Sequence, residues 1–342
     1  MIPLLPGPLL VATLSGCFLL GDGKAKDAAA AAEQKLKAGD LPGADDDYAG
    51  AAKSWPSQVD VATGAAFMAL QRGNTDAADK FLADAEKDAG EQVPAIKLRR
   101  CLVALQAGDL EHVKSFGLES GLPQGKLLAA EVALADGERE EAQGLLKDAL
   151  AAGGGVAAVS QEYLDLLGNE DPLVAGLSEA QALWALGTRK VAVRSVEELV
   201  LNLPDSYGKR DEQILVWAGR AASVHETQVA RTLLDGLIFA PEGQQWRKVA
   251  TLGIISCADG DAKNCLRTLD GLEGTAPEDG LADARATAAY LIAEQDPEAA
   301  RKLAGPYISN AAARALLETG DSAAAKESAP GGALGQFLAA GG

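Results

Sequence analysis

The sequence predicts an all-α fold of stacked helical hairpins, and three observations predict it. Aromatic residues are only 4% of a chain rich in alanine and leucine, and no long alternating Val/Ile/Thr run suggests a sheet, so helices are the expected elements. A turn residue recurs at Gly39, Gly73, Gly108, Gly137, Gly187, His225, Gly260, Gln295 and Gly320, at spacings of 34, 35, 29, 50, 38, 35, 35 and 25 residues. These centre on the ~34-residue unit of a helix-turn-helix repeat. The neighbours of the turns also fall into register. Seven positions before them stand Ala32, Ala66, Cys101, Ala130, Ala180, Ala218, Gly253, Ala288 and Ala313; five after them stand Ala44, Ala78, Val113, Ala142, Ala192, Ala230, Cys265, Ala300 and Ala325. Antiparallel helices approach most closely where side chains are smallest, so these two columns mark the seam of each hairpin.

A third column, three before each turn, is apolar throughout: Leu36, Leu70, Leu105, Leu134, Trp184, Ala222, Cys257, Ile292 and Leu317. This order of small residue, bulky apolar residue, turn glycine and small residue resembles the tetratricopeptide (TPR) family. Gly39, Ala44, Tyr48, Ala51 and Pro56 match that family's glycine, alanine, aromatic, alanine and closing proline; Leu252, Gly253 and Pro277 match its leucine-glycine pair and final proline, and Pro204 closes the Gly187 unit. Elsewhere its aromatic positions hold alanine or leucine, a departure that leaves a related helical-repeat class open for the divergent units. The resemblance implies a right-handed superhelical α-solenoid of about eight to nine TPR-like hairpins.

In chain order, residues 1–23 read as a signal and tether. Met1 to Leu20 is almost wholly apolar and contains Leu14-Ser15-Gly16-Cys17, which resembles a bacterial lipoprotein signal with Cys17 as the lipidated residue. About 20 residues interrupted by Pro3, Pro6 and Pro8 make a poor membrane span. No Lys or Arg precedes Lys24, where such a signal normally opens with one, so a plain cleaved signal, an uncleaved anchor and an accidental apolar N-terminus stay open. Phe18, rather than aspartate, follows the cysteine and points to the outer membrane facing the periplasm over the inner membrane. Residues 24–152 form a first repeat array. Gly153-Gly154-Gly155 stops it, and 153–177 is expected to be an irregular connecting segment holding an extra or distorted helix. A second array spans 178–329, and 330–342 is a Gly/Ala tail.

A net charge of −18 argues against nucleic acid as a partner. It keeps an extracytoplasmic protein soluble, and it also suits a protein partner with a basic face. Of the four cysteines, Cys101 sits in the small-residue column as a buried thiol. Cys257 and Cys265 lie three before and five after Gly260, opposite each other across one hairpin. In an exported chain that placement favours a disulfide, although both columns hold ordinary core residues elsewhere.

Catalytic chemistry finds no support, and no catalytic residue, cofactor, metal or small-molecule substrate is expected. His112 and His225 have no ligand spacing. Gly121 to Lys126 imitates a phosphate loop but is too short and lacks the Ser or Thr that holds magnesium. Asp259 and Asp261 open like a calcium loop, but Lys263 occupies a ligand position. Glu140-Glu141 and Glu197-Glu198 belong to polar helix faces.

The TPR resemblance implies binding through a groove lined by first helices, touched six and two residues before each turn. Here those positions give Glu33, Lys37, Phe67, Gln71, Gln106, Glu131 and Gln181 as the partner groove. Phe67 also reads as core, and the lysine- and asparagine-rich arrangement that clamps a terminal carboxylate is missing. The functional expectation is a non-enzymatic scaffold lipoprotein in an envelope assembly or secretion complex. The alternatives are a regulator or subunit of an envelope enzyme with its site in 153–178, and a cytoplasmic adaptor if the Cys17 motif is accidental.

Overall fold

The computed structural model describes residues 23–293 and 295–304. Cys17, the Gly320 turn and the 330–342 tail lie outside the described residues. Within them there are 17 α-helices, short 3-10 turns at Gly90–Gln92 and Asp205–Tyr207, and no strand. The chain divides into two compact units between Glu162 and Tyr163.

The N-terminal unit holds α1 (Gly23–Ala38), α2 (Leu41–Ser54), α3 (Val59–Gln71), α4 (Thr75–Glu86), α5 (Val93–Ala107), α6 (Leu110–Ser120), α7 (Pro123–Ala135), α8 (Arg139–Leu150) and the start of α9 (Gly154–Leu167). Helices α1 to α8 pair as four successive hairpins, and each second helix packs on the next first helix. The C-terminal unit continues from Tyr163 with α10 (Pro172–Ala185), α11 (Arg189–Leu201), α12 (Arg210–Ala222), α13 (Thr227–Asp235), α14 (Gln245–Ala258), α15 (Ala262–Asp270), α16 (Glu278–Ile292) and α17 (Pro297–Ala304), again four hairpins. Both units are thus arrays of helical hairpins. Residues 153–177, expected to be an irregular segment holding an extra or distorted helix, do hold an extra helix, and it is regular. After Gly153 and Gly154, both at positive φ, the chain is helical as α9, and α10 begins at Pro172. Glycine pairs stop α8, but the Val/Ala/Leu-rich stretch that follows has the length and apolar content to form its own helix.

The hairpins form because one local motif closes them. At Gly39, Gly73, Gly108, Gly137, Gly187, His225 and Gly260 the backbone is left-handed, with φ between 62° and 87°, a region that costs a residue bearing a Cβ but not glycine. Each of these residues donates its N–H to the carbonyl three residues back. The residue after it donates to the carbonyl five back at 2.8–3.0 Å, which completes a Schellman cap. That second residue also begins the next helix. Asp40, Asn74, Asp109 and Asp261 accept at 3.0–3.1 Å from the backbone N–H three residues on, an N-cap worth ~1 kcal/mol. One residue therefore ends one helix and starts the next, and the two helices must leave the turn antiparallel.

The seam columns are where those helices meet. Ala44, Ala78, Val113, Ala142, Ala192, Ala230, Cys265 and Ala300 are each 0% exposed, and the described residues of the opposing column, from Ala32 to Ala288, are all buried. Larger side chains fill the space above and below, among them Phe67, Leu82, Leu134, Leu146 and Trp217. Between hairpins the tightest crossing is α6 on α7. A Cβ added at Gly117 would lie 2.6 Å from the Gly125 carbonyl oxygen, and one at Gly125 would overlap the Gly117 carbonyl in turn. The apparent phosphate loop is thereby explained: Gly121 caps α6 in the left-handed region and Gly125 lets two backbones touch.

Ala130→Leu or Ala142→Leu forces volume into the Gly137 seam and should cost ~1–3 kcal/mol in urea denaturation, whereas Glu140→Leu, at an exposed site one turn from the cap, should change stability little. Equal midpoints for the three variants would refute this seam.

Candidate interaction surfaces

The partner groove expected from the turn-relative columns is only partly exposed. Phe67 is 0% exposed, and Glu131 and Gln181 are each 5% exposed, so these three are corrected to packed interior positions. The reason is angular. The position six before the turn is one residue, or ~100°, from the buried seam position, and it points at the neighbouring first helix rather than at solvent. Glu33, Gln71 and Gln106 are half-buried and Lys37 is exposed, with Lys37 Nζ 2.6 Å from Glu33 Oε1. The solvent-facing remainder of the predicted groove is therefore the terminal turn of α1, α3 and α5.

Reactive side chains outside that stripe have structural partners. The Cys101 thiol is 0% exposed and lies 3.2 Å from the Val113 carbonyl, to which it donates; burial, aided by the charge of Glu131, pushes its pKa up to about 12, which leaves an inert thiol. His112 Nδ1 is 2.6 Å from Asp109 Oδ2, beside the cap that Asp109 supplies to α6. Asp261 caps α15, and Asp259 pairs with Arg231 at 2.6 Å. Among the described residues no group of three or more His, Cys, Asp or Glu side chains is arranged to hold a metal ion, and no described helix is long and apolar enough to cross a membrane.

The sequence columns missed an electrostatic order along the turn edge. A charge six or seven residues after one turn pairs with an opposite charge beside the next turn: Asp45 with Arg72, Lys114 with Glu138 at 2.8 Å, Arg194 with Glu226 at 2.7 Å, and Arg231 with Asp259. Lys114 also reaches Glu141 at 2.9 Å. Exposed pairs of this kind contribute ~0–1 kcal/mol each, so they tune how neighbouring hairpins register more than they hold the array. Opposite charges at these two offsets are the sequence signal that finds them. A denser network joins α4, α5 and α6. Arg100 bonds Asp79 and Glu86, Lys97 bonds Glu86 and Glu119, and both cations lie over the Phe116 ring, at 4.3 and 5.1 Å from its centroid. Burial acts to raise the Glu86 pKa, but the hydrogen bonds from Lys97 and Arg100 outweigh it and hold the carboxyl below its ordinary value.

In the C-terminal unit the rings of Trp184 and Trp217 meet edge to face at 6.3 Å, and the Arg220 guanidinium lies over both. Cys257 and Cys265 form a disulfide between α14 and α15, with Cα atoms 5.2 Å apart and both side chains 0% exposed. It crosses the seam where other hairpins place an apolar residue against alanine, so it staples a hairpin whose second helix has only 9 residues.

No family model matches the chain, and no curated protein matches it. Among solved structures, the chain is similar to the crystal structure of the P58(IPK) TPR domain, at 15% sequence identity and a TM-score of 0.25, over 86% of this chain and 97% of that one. The hairpin assignment stands on the turn and seam geometry of this chain.

Cys257→Ala/Cys265→Ala should lower stability by ~2–3 kcal/mol, the loop-closure contribution of so short a crosslink, and Cys101→Ala should not reproduce the effect on adding reductant. An unchanged denaturation midpoint under reducing conditions would contradict the staple.

Proposed function

We propose that this chain is a non-enzymatic scaffold of the bacterial cell envelope, anchored by a lipid on Cys17, that binds proteins presenting a basic face. The observation that carries the reading is the array itself. In each unit, four hairpins built on one seam, seven of the eight closed by one turn, give a surface assembled from a few side chains per repeat, and such surfaces suit extended segments or neighbouring helical proteins rather than small substrates. The acidic excess of the chain supplies the charge preference, with a net charge of −18. The N-terminal motif supplies the address, and the absence of an aspartate after Cys17 favours the outer membrane.

The test has two arms. Palmitate labelling should mark the parent and not Cys17→Ala, which should leave the membrane fraction while its repeats stay folded; a variant that stays membrane-bound at unchanged size sinks the anchor. In the second arm, immobilised 24–342 fragment should retain basic envelope proteins at low salt and release them as screening shortens to below ~8 Å. A turnover activity that maps to residues 153–178 would replace the scaffold reading with that of an enzyme subunit.

A further inference from the structure

One turn departs from the rest. Of the seven left-handed turns that join the two helices of a hairpin, six hold glycine and one holds His225, the one described non-glycine residue at positive φ, at 62°. A Cβ in that region costs conformational energy that glycine would avoid. The substitution places an exposed imidazole at the α12–α13 turn, its Nδ1 3.4 Å from the Ala258 carbonyl of the next hairpin, and His225 also lines a shallow cleft against the preceding turn, whose walls include Thr188, Arg189, Lys190, Val191 and Val224.

The charge around this cleft runs opposite to that of the whole protein. Between Glu179 and Glu197 the chain carries Arg189, Lys190 and Arg194 and no acid, in a protein of net charge −18. Glu226, which follows His225 in the chain, is held by Arg194 at 2.7 Å. Arg189 is fixed with its guanidinium 5.8 Å from the Trp184 ring centroid, on a tryptophan that also carries Arg220 at 5.2 Å. Lys190 is exposed and forms no ion pair among the described residues, and beside it Val191 is 58% exposed. A cationic rim around an exposed valine complements a carboxylate-bearing chain with an apolar side chain between its charges.

We propose that this cleft at the α10–α11 and α12–α13 turns is a second binding surface, specific for an acidic polypeptide segment, with Lys190 and His225 as its specificity-determining residues. Its charge preference is opposite to that of the scaffold's acidic surface, so either surface can fail its test without affecting the other.

The experiment titrates the full chain in detergent with a hexaglutamate peptide at low salt, read by tryptophan fluorescence, which reports Trp184 under Arg189, and by calorimetry. A hexalysine peptide is the charge control. Hexaglutamate should saturate one site. Lys190→Glu should weaken it by about fivefold to tenfold, the size of one exposed charge pair lost and one repulsion gained. His225→Gly should raise the thermal midpoint, because glycine relieves the left-handed backbone, yet weaken the peptide by about twofold or more. Lys263→Glu, an exposed lysine on the next hairpin, should change nothing. Any other pattern overturns the assignment, including no saturable binding, equal losses in the Lys190 and Lys263 variants, or full affinity in His225→Gly.

Discussion

Two helices joined by a turn of two to four residues have little freedom to separate, so whatever stands opposite whatever at the first contact decides whether the hairpin closes. Here the contact lies seven residues before the turn and five after it, and the chain places small side chains at both. With alanine against alanine, backbones approach closely enough for the larger residues on either side to interlock. The Schellman cap and the shared N-cap fix the exit direction, the seam fixes the distance, and the Leu, Ile and Phe layers then have one way to pack. Everything else in the two units, including which faces remain for solvent, follows from repeating that closure.

Charge is arranged around this frame rather than within it. The turn edges carry ion pairs from one hairpin to the next, and the α4–α6 network sits where a cation can cover an aromatic ring. Where the repeat is weakest, other devices appear: α13 and α15 have 9 residues each, and the α15 hairpin is the one crossed by a disulfide. The same region exposes Ile238 and Phe239, at 68% and 78%, in the loop that follows the shortened α13. Short second helices leave apolar area that a full-length partner helix would have covered.

The turns and the seam were legible in the sequence because they are set by local rules. A left-handed position demands glycine, and a close crossing demands alanine, so both leave a periodic mark that needs no knowledge of tertiary contacts. The groove was less legible. Phe67, Glu131 and Gln181 lie a single helical step from the seam, and one step separates a residue that faces solvent from one that faces a neighbouring helix. Nor could periodicity alone show that the segment after Gly155 is a regular helix, since it pairs with no turn of its own and so falls outside the repeat. The ion-pair order was present at fixed offsets but crosses from one hairpin to the next, and a reading that compares repeats column by column does not look along that diagonal. The basic cleft was hidden for a different reason: an average charge conceals a local reversal.

The account's central claim is that the same hydrogen-bonded turn closes successive hairpins, and amide hydrogen exchange measures it residue by residue. The N–H groups of Asp40, Asn74, Asp109, Glu138, Thr188, Glu226 and Asp261 are each tied to a carbonyl five residues back, although every one sits in a surface turn. If the claim holds, all seven exchange slowly, with protection near that of the adjoining first helix. Exchange of these amides at the rate of an open loop, in several hairpins at once, would contradict it.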